Sequence, residues 1–361
     1  MNTKFIPTFL LTLPFTLAYG ATPSTLAEAS SASDKQLAAQ VLERWDNDEH
    51  RDLKAVIVRR DGELIAERYY NGDGPDTLHD IRSAGKSITS LLIGVAVDQG
   101  KIHSITDPVG RYIAEAKSKP IGAVSIENLL TMRSGLDASD EDPASPGNED
   151  RMDQSPDPAR FALDVKLSIS PGSRYVYNSV TAYLAGLVLE KAVGRRVDEF
   201  AREVLFKPLG INTWRWDQDG SGHTKGQGNL FLTARDFSKL GQMVLNHGMY
   251  EGRRILSEQW ILEALKPRVA ISAVDPYADA YGYFWYSRTH EIDGQCVLVH
   301  FASGNGGNKI YIVPSRRLVV AITSSAYGRG YGQRRSETIL KALLSIPSNS
   351  SDVLPAIPAR E

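Results

Sequence analysis

Apolar runs with the length and pattern of β-strands lie near both ends of the 361-residue chain. Near the start, residues 53–58 form one run, and the turn signal Asp61-Gly62 joins it to a second run over residues 63–70. The first run is apolar on both faces, which predicts a sheet covered by helices on both sides. Further strands are predicted near the other end, at residues 281–287, 296–301, 309–313 and 318–323.

The stretch between these two groups, about residues 84–265, has mostly helical patterning. Strands from both ends with helices between them predict one sheet closed by distant segments, built from about residues 45–75 and 280–325. We therefore expect an α/β (α+β) fold, in which an antiparallel sheet is flanked by helices and carries a large helical insertion on one side.

The first twenty residues have the pattern of a signal peptide. Lys4 supplies a positive charge, residues 5–17 are largely apolar, and Ala18 and Gly20 are small residues at the two cleavage positions, so cleavage is expected before Ala21. The apolar run is short for a membrane span, and no later segment reaches that length. A buried N-terminal helix is the alternative. The pattern predicts an exported protein, periplasmic or secreted, without a stable membrane span.

The remaining boundaries follow from composition. Residues 21–40, rich in Ala, Ser and Thr at their start, are expected to form a flexible leader, and residues 346–361, rich in Pro and Ser, a mobile tail. Residues 41–345 are then the folded domain.

Composition excludes some functions. The formal net charge is −2, so there is no basic field to grip a nucleic-acid backbone, and nucleic acid is an unlikely partner. The single cysteine, Cys296, precludes an internal disulfide and lies in a strand-like run, where we expect it to be a small core residue. No His-Glu-x-x-His occurs and the histidines are scattered, so neither a metal site nor a cofactor is predicted.

Ser83-Ala84-Gly85-Lys86 opens a predicted helix that ends near Gly100. Residues three apart share a helix face, so Ser83 and Lys86 point together. A serine hydroxyl becomes a nucleophile when a base takes its proton, and a lysine can be that base if burial or nearby positive charge lowers its pKa. A phosphate-binding loop is rejected, because its required first glycine is Asp80 here.

Two further stretches carry candidate chemistry. Residues 171–179 lead through a turn to Tyr177 and then to an apolar helix, while residues 301–308 run from a strand into a glycine cluster. Taken singly, each has an ordinary structural interpretation: Tyr177 would be a packed aromatic residue, and the glycine cluster would be a hairpin loop. No Gly-x-Ser-x-Gly occurs, which argues against an α/β-hydrolase, although spacing leaves a serine-histidine-carboxylate triad open.

Together and in this order, the Ser83-x-x-Lys86 helix, Tyr177-Asn178-Ser179 and the glycine-rich turn after Ala302-Ser303-Gly304 resemble the β-lactamase-related serine hydrolases. This family includes class C β-lactamases, D-alanyl-D-alanine carboxypeptidases, carboxylesterases and 6-aminohexanoate-dimer hydrolases. Residues 128–136 and 228–236 also resemble recurrent family segments. The resemblance spans about residues 45–345 and implies a β-lactamase/transpeptidase-like fold.

The resemblance also implies roles for individual residues. Ser83 would be the nucleophile, Lys86 its general base, and Tyr177 the second member of the proton relay. The backbone N–H groups of Ser83 and Asn305 would form an oxyanion hole, whose donors stabilise the charge that develops on the carbonyl oxygen. Substrate-binding positions would be Ser179, Ser303 and Gly304.

Two departures from the family pattern bear on the substrate. Ser179 stands where β-lactamases usually carry asparagine, and Ala302-Ser303-Gly304 lacks the lysine that helps to hold a substrate carboxylate, unless His300 or an arginine substitutes. These variants favour an ester or small linear amide as the small-molecule substrate. The alternatives are a β-lactamase or D-alanyl-D-alanine carboxypeptidase acting on a lactam or peptide, and a non-catalytic binding protein on the same scaffold. The sequence does not determine the oligomeric state.

Overall fold

The structure is a computed structural model that describes Met1 and residues 23–347, with side chains described from residue 33 onward. The predicted signal peptide, apart from Met1, and all but the first two residues of the predicted tail lie outside these residues. Within the described part, no helix has the length and apolar character needed to cross a membrane.

The secondary structure agrees with the predicted arrangement of strands at both ends and helices between. The helices are α1 Pro23–Glu43, α2 Gly85–Asp98, α3 Ile126–Leu130, α4 Glu149–Asp153, α5 Pro158–Asp164, α6 Ser179–Val193, α7 Val197–Ala201, α8 Ala234–Leu245, α9 Glu258–Leu265 and α10 Gly330–Leu344. The strands are β1 Leu53–Arg60, β2 Glu63–Tyr69, β3 His79–Asp80, β4 Trp214–Trp216, β5 Leu230–Leu232, β6 Met249–Tyr250, β7 Arg253–Arg254, β8 Val269–Ala270, β9 Ala280–Tyr281, β10 Tyr286–Ile292, β11 Gln295–Gly304, β12 Asn308–Val313 and β13 Leu318–Ser324.

The main sheet joins the two ends of the chain. Its strand order is β2-β1-β13-β12-β11-β10-β9-β8, and each neighbouring pair is antiparallel. Strand β1 pairs with β13 over a register that places Val58 opposite Val320. The predicted fold class is therefore confirmed: distant strands form one antiparallel sheet, and α2 to α9 lie in the intervening sequence.

Helices cover both faces of the sheet, as the doubly apolar first strand predicts. Consecutive side chains of a strand point to opposite faces. Arg59 of β1 donates through Nε to Ser238 Oγ of α8, at 2.9 Å, whereas Arg60 donates through Nη1 to Asp34 Oδ2 of α1, at 2.6 Å. Thus α8 lies on one face and α1 on the other.

The flexible leader expected over residues 21–40 is replaced by α1. Ala38, Val41 and Leu42 are buried in the hydrophobic core, and Leu37 packs against it. These four residues recur at helical spacing, so one stripe of the helix is apolar although the segment begins with small polar residues. The ion pair between Asp34 and Arg60 fixes the same helix to the sheet.

Three local features differ from the sequence predictions. The middle of the chain contains a small sheet with the strand order β3-β5-β4 and the hairpin β6-β7. The strand predicted over residues 281–287 is interrupted between β9 and β10, where Phe284 has a φ of 59°. Cys296 lies on a strand as predicted, but it is exposed, because the start of β11 extends beyond the covered part of the sheet.

Gly241 allows α8 to approach the sheet closely. A Cβ atom at this position would clash with Ile310 Cγ2 and lie 2.7 Å from Val319 Cγ1. We expect Gly241→Ala to reduce the free energy of unfolding by about 2 kcal/mol, because overpacking outweighs the better helix propensity of alanine. Gly330→Ala, at the start of α10, is the control, because its added Cβ would meet Arg334 Nη1 at 3.7 Å, an ordinary contact without a clash. Urea unfolding tests both; equal stability of the two variants would contradict this account of the α8 contact.

Candidate active site

Ser83 lies on a tight turn, Arg82–Ala84, that leads directly into α2. Arg82 has a φ of 54°, a conformation that costs a non-glycine residue about 1 kcal/mol or more. Asp80 holds this turn: its Oδ1 accepts the backbone N–H of Arg82 at 2.8 Å, and its Oδ2 accepts Asn229 Nδ2 at 3.3 Å. Burial raises the pKa of Asp80. The acidic residue that argued against a phosphate loop thus shapes the turn that presents Ser83.

Lys86 lies one helical turn beyond Ser83 and is 2% exposed. Its Nζ donates to Ser83 Oγ at 2.9 Å, to Ser179 Oγ at 3.1 Å and to the Gln227 carbonyl oxygen at 2.9 Å. An ammonium group has three N–H donors, so every one has an acceptor here. The three acceptors come from the turn before α2, from α6 and from the loop before β5, which meet at this amine.

The surroundings of Lys86 favour its charged form. Burial opposes the charge, but Tyr177, Glu149 and Asp140 act against burial and together hold the pKa of Lys86 above its ordinary value. The condition for a lone lysine base, a lowered pKa, is therefore not met in the free protein. A protonated lysine donates to Ser83 Oγ and has no lone pair of its own for a proton.

Tyr177 reaches the same place from the loop before α6. The centroid of its ring lies 5.0 Å from Lys86 Nζ, and its side chain is half-buried. Asn178, the N-cap of α6, fixes this loop: its Oδ1 accepts the N–H of Thr181 at 2.8 Å, and its Nδ2 donates to the Val176 carbonyl at 3.0 Å. The structure thus brings the predicted hydroxyl, amine and phenol together.

The glycine-rich segment lies against the Ser83 turn. A Cβ atom on Gly304 would clash with the carbonyl oxygen of Ile81 and lie 3.2 Å from the backbone nitrogen of Ala84. Glycine is therefore required for this approach. Asn305 follows immediately and is tied by its Oδ1, which accepts the N–H of Gly328 at 2.8 Å. The end of β11 and the start of α2 form two adjacent walls of the site.

Ser179 does not lie where the sequence placed it. It was expected to bind substrate, but it is 1% exposed and its Oγ accepts from Lys86. Its backbone N–H donates to Asp140 Oδ1 at 3.0 Å. As the first residue of α6, Ser179 is fixed by helix packing behind the amine, and it therefore positions Lys86.

Sequence reasoning did not select the carboxylates near Lys86. Asp140 and Glu149 both stabilise its charge, and burial raises the pKa of Glu149. They lie in a polar segment without periodicity, so the fold alone reveals their proximity. The Gln227 acceptor is a backbone carbonyl, which carries no side-chain signal.

His300, one suggested substitute for the missing lysine, does not supply a cation. His300 is buried, and burial lowers its pKa to about 4, so it is neutral near pH 7. Arg82, the arginine beside Ser83, is paired with Asp80 at 3.4 Å, and its guanidinium carbon lies 4.3 Å from the centre of the Tyr327 ring.

Comparison with known proteins now decides the family. The Beta-lactamase family model matches residues 39–344, which is most of the chain. The chain belongs to the β-lactamase family.

Among the relatives of this β-lactamase-family chain, the 6-aminohexanoate-dimer hydrolase of Paenarthrobacter ureafaciens is 28% identical over 67% of the chain and 64% of its own length. The N-acetylmuramyl-L-alanine amidase of Bacillus subtilis (strain 168) is 22% identical over 58% of the chain and 55% of its own length. The chain thus spans less than two thirds of the length of either relative.

A solved structure of a penicillin-binding protein homolog from Caulobacter crescentus is similar in fold, with a TM-score of 0.70 at 20% identity. The similarity covers 86% of this chain and 97% of that one. It supports the shared architecture of sheet and helical insertion.

Removal of the Ser179 hydroxyl tests the environment of Lys86. A group whose pKa is raised by folding contributes stability at neutral pH, and this contribution is lost as the pH rises through the folded-state pKa. We expect Ser179→Ala to reduce the free energy of unfolding at pH 7 by about 1–3 kcal/mol, because a buried ammonium loses an acceptor. The alkaline loss of stability, which begins at the unfolded-state pKa in both proteins, should also be smaller in the variant and end at lower pH, as urea unfolding over a pH series would reveal.

Ser87→Ala is the matched control, since Ser87 is buried on the same helix and its Oγ donates to the Phe284 carbonyl at 2.5 Å. It should lose stability without moving the alkaline transition. Identical pH curves for the two variants would show that Ser179 has no special effect on Lys86.

Proposed function

We propose that this protein hydrolyses an ester or a small linear amide through an acyl-enzyme on Ser83, with residues 41–345 as the hydrolase domain. The observation that carries the proposal is the 2.9 Å hydrogen bond from Lys86 Nζ to Ser83 Oγ, with the Tyr177 ring beside the same amine. Ser83 is half-buried, so part of its side chain is accessible, whereas Lys86 is enclosed. A nucleophile at the surface with its proton-transfer group behind it is the arrangement that acyl transfer requires.

In the proposed reaction, the Lys86–Tyr177 pair begins with one proton fewer than an ammonium and a phenol hold together. Ser83 Oγ attacks the substrate carbonyl carbon, and its proton passes to Tyr177 Oη and fills that place. The carbonyl oxygen becomes an oxyanion, which accepts hydrogen bonds from the backbone N–H groups of Ser83 and Asn305. When the tetrahedral intermediate collapses, the bond to the leaving group breaks and Tyr177 gives that group a proton. Water then attacks the acyl-enzyme, its proton goes to the same pair, and Ser83 regains its hydroxyl hydrogen.

The proposal gives the base function to the pair rather than to the lysine alone, because an ammonium that donates all three of its N–H groups has no lone pair for the Ser83 proton. While Lys86 is an ammonium, it stabilises negative charge on Tyr177 and on the attacking Ser83 oxygen. Ser179, Gln227, Asp140 and Glu149 hold it in this state. In this proposal Ser179 is a positioning residue, and Ser303 and Gly304 line the substrate side.

Two observations favour an ester or linear amide. Ala302 stands where the family usually has a lysine, and one relative is named a 6-aminohexanoate-dimer hydrolase. A β-lactamase or cell-wall peptidase is the second candidate. The fold shared with a penicillin-binding protein homolog and the relative named as an N-acetylmuramyl-L-alanine amidase favour it.

Acylation of Ser83 tests the main proposal. With a p-nitrophenyl ester we expect a burst of p-nitrophenol equal to the enzyme concentration, and a mass increase of one acyl group on the peptide that contains Ser83. Ser83→Ala should abolish both, a loss of about a thousandfold or more in rate, whereas Ser87→Ala should retain both. A burst that persists in Ser83→Ala would refute the proposal. Turnover of nitrocefin with no ester hydrolysis would select the second candidate instead.

Export is proposed from residues 1–20. Expression of the full chain in a Gram-negative host should give a protein in the periplasmic fraction whose mass corresponds to a start at Ala21. Replacing the apolar residues Leu10 and Leu11 with Asp should leave the protein unprocessed in the cytoplasm. An intact Met1 start in the unmodified periplasmic protein would contradict the predicted cleavage.

A further inference from the structure

The peptide group between Gly304 and Asn305 contains the second proposed oxyanion donor, the Asn305 N–H. Its carbonyl end is held by two hydrogen bonds. Gln333 Nε2, from α10, donates to the Gly304 oxygen at 2.9 Å, and the Gly307 N–H donates to the same oxygen at 3.2 Å. The side-chain bond is the shorter of the two, and it comes from a helix that contributes no other residue to the proposed reaction.

Holding one end of a peptide group fixes the other end. A peptide group is planar and trans, so its C=O and N–H bonds point in nearly opposite directions. The donors on the Gly304 oxygen therefore set the direction in which the Asn305 hydrogen points. Donation to a carbonyl also polarises the peptide, which strengthens the hydrogen bond that its N–H makes. Among the described residues this N–H has no backbone acceptor, and Asn305 is exposed, so the hydrogen is available to a bound substrate.

The other proposed donor, the Ser83 N–H, is oriented in a different way. It shares its peptide group with the Arg82 carbonyl, which accepts the Gly85 N–H within the same turn. Its direction is therefore fixed by main-chain hydrogen bonding. The Asn305 donor depends in addition on a side chain from another element, so a single substitution at Gln333 can misdirect it without changing the turn that carries Ser83.

Close packing between α10 and the glycine cluster brings Gln333 to this position. A Cβ atom on Gly332 would clash with the Gly306 carbonyl oxygen, so the first turn of α10 meets the loop backbone to backbone. Ser336 Oγ adds a hydrogen bond to the Gly307 carbonyl at 2.7 Å. The Gln333 side chain is half-buried in this contact. A flipped amide would set its Oε1 against the carbonyl oxygen that Nε2 now binds, so that two acceptors would face each other.

We propose that Gln333 is the positioning residue of the oxyanion hole: its amide holds the Gly304 carbonyl so that the Asn305 N–H points at the oxyanion formed when Ser83 attacks. Gln333 itself touches neither the substrate nor a transferred proton. The inference rests on the proposed acyl transfer at Ser83 and extends it, because the first turn of α10 becomes part of the arrangement that stabilises the transition state.

The test compares an oxygen ester, p-nitrophenyl acetate, with its thionoester, O-p-nitrophenyl thioacetate, in which sulfur replaces the carbonyl oxygen. Sulfur accepts hydrogen bonds weakly, so the oxyanion hole stabilises attack on the thionoester much less. For each substrate the second-order rate constant for acylation of Ser83 is measured from the p-nitrophenol released in the burst. We expect Gln333→Met to lower this constant about tenfold for the ester and less than about threefold for the thionoester. The Gly307 bond remains in the variant, so the loss is smaller than that of a whole donor.

Gln333→Met keeps the length of the side chain and removes the donor, and melting temperatures are measured first. Gln333→Glu is the second variant and carries the comparison if the first does not fold. It keeps the shape but presents an acceptor to the Gly304 carbonyl, so the ratio of ester to thionoester rate constants should fall at least as far. Ser336→Ala is the matched control, because it removes another hydrogen bond from α10 to this loop, at a carbonyl whose peptide group carries no proposed donor. It should leave the ratio at the wild-type value.

The outcomes separate this inference from the proposed function. Equal losses for both substrates in the Gln333 variants, or no loss for either, overturn the role of Gln333. A ratio that falls as far in Ser336→Ala also overturns it, because packing of the loop then explains the effect. In each of these cases the wild-type burst on Ser83 remains and the proposed hydrolysis stands. If neither substrate acylates Ser83 in the wild-type protein, the proposed function fails and the inference fails with it.

Discussion

The structure of the site depends on the requirement that the buried ammonium of Lys86 be fully hydrogen-bonded. A buried charge without partners costs several kcal/mol, so its acceptors must be in place when the protein is folded. They come from Ser83, Ser179 and the Gln227 carbonyl, which belong to three segments far apart in sequence. The need to satisfy one amine therefore fixes the start of α2, the start of α6 and the loop before β5 relative to one another.

Glycine makes this convergence possible. The loop that provides the Gln227 carbonyl approaches α2 and α6 backbone to backbone: a Cβ on Gly85 would lie 3.2 Å from Gly228 Cα, and one on Gly186 would lie 3.1 Å from Gly226 Cα. Thr89 also donates to the Gly226 carbonyl at 2.7 Å. The third wall, at Gly304, follows the same principle. The functional side chains can therefore meet because the residues at these close approaches are glycines, which have no side chain.

Much of this arrangement could be predicted from local sequence. The strand runs of β1, β12 and β13 are nearly continuous apolar segments, and the Ser83–Lys86 spacing fixes two side chains on one helix face whatever surrounds them. Other features depend on tertiary contacts. The stripe on α1 has meaning only against the sheet, Ser179 became a partner of Lys86 through the packing of α6, and the raised pKa of Lys86 reflects Asp140 and Glu149, which are distant in sequence. The hydrogen bond from Lys309 to Ser303 could not be predicted for the same reason, because it depends on the register of β11 and β12.

The closure of the sheet by β1 and β13 has a consequence for the order of folding. The N-terminal hairpin β1-β2 is synthesised first, yet one edge of β1 stays unpaired until almost the whole chain is available, because its partner is the last strand. Contacts of such large sequence separation form slowly, since the loop entropy is lost before the contacts repay it. The nascent chain therefore has a long period without this strand pairing. The start of α2 likewise waits for Gly304 at the end of β11, which is synthesised much later, before that wall of the site can form.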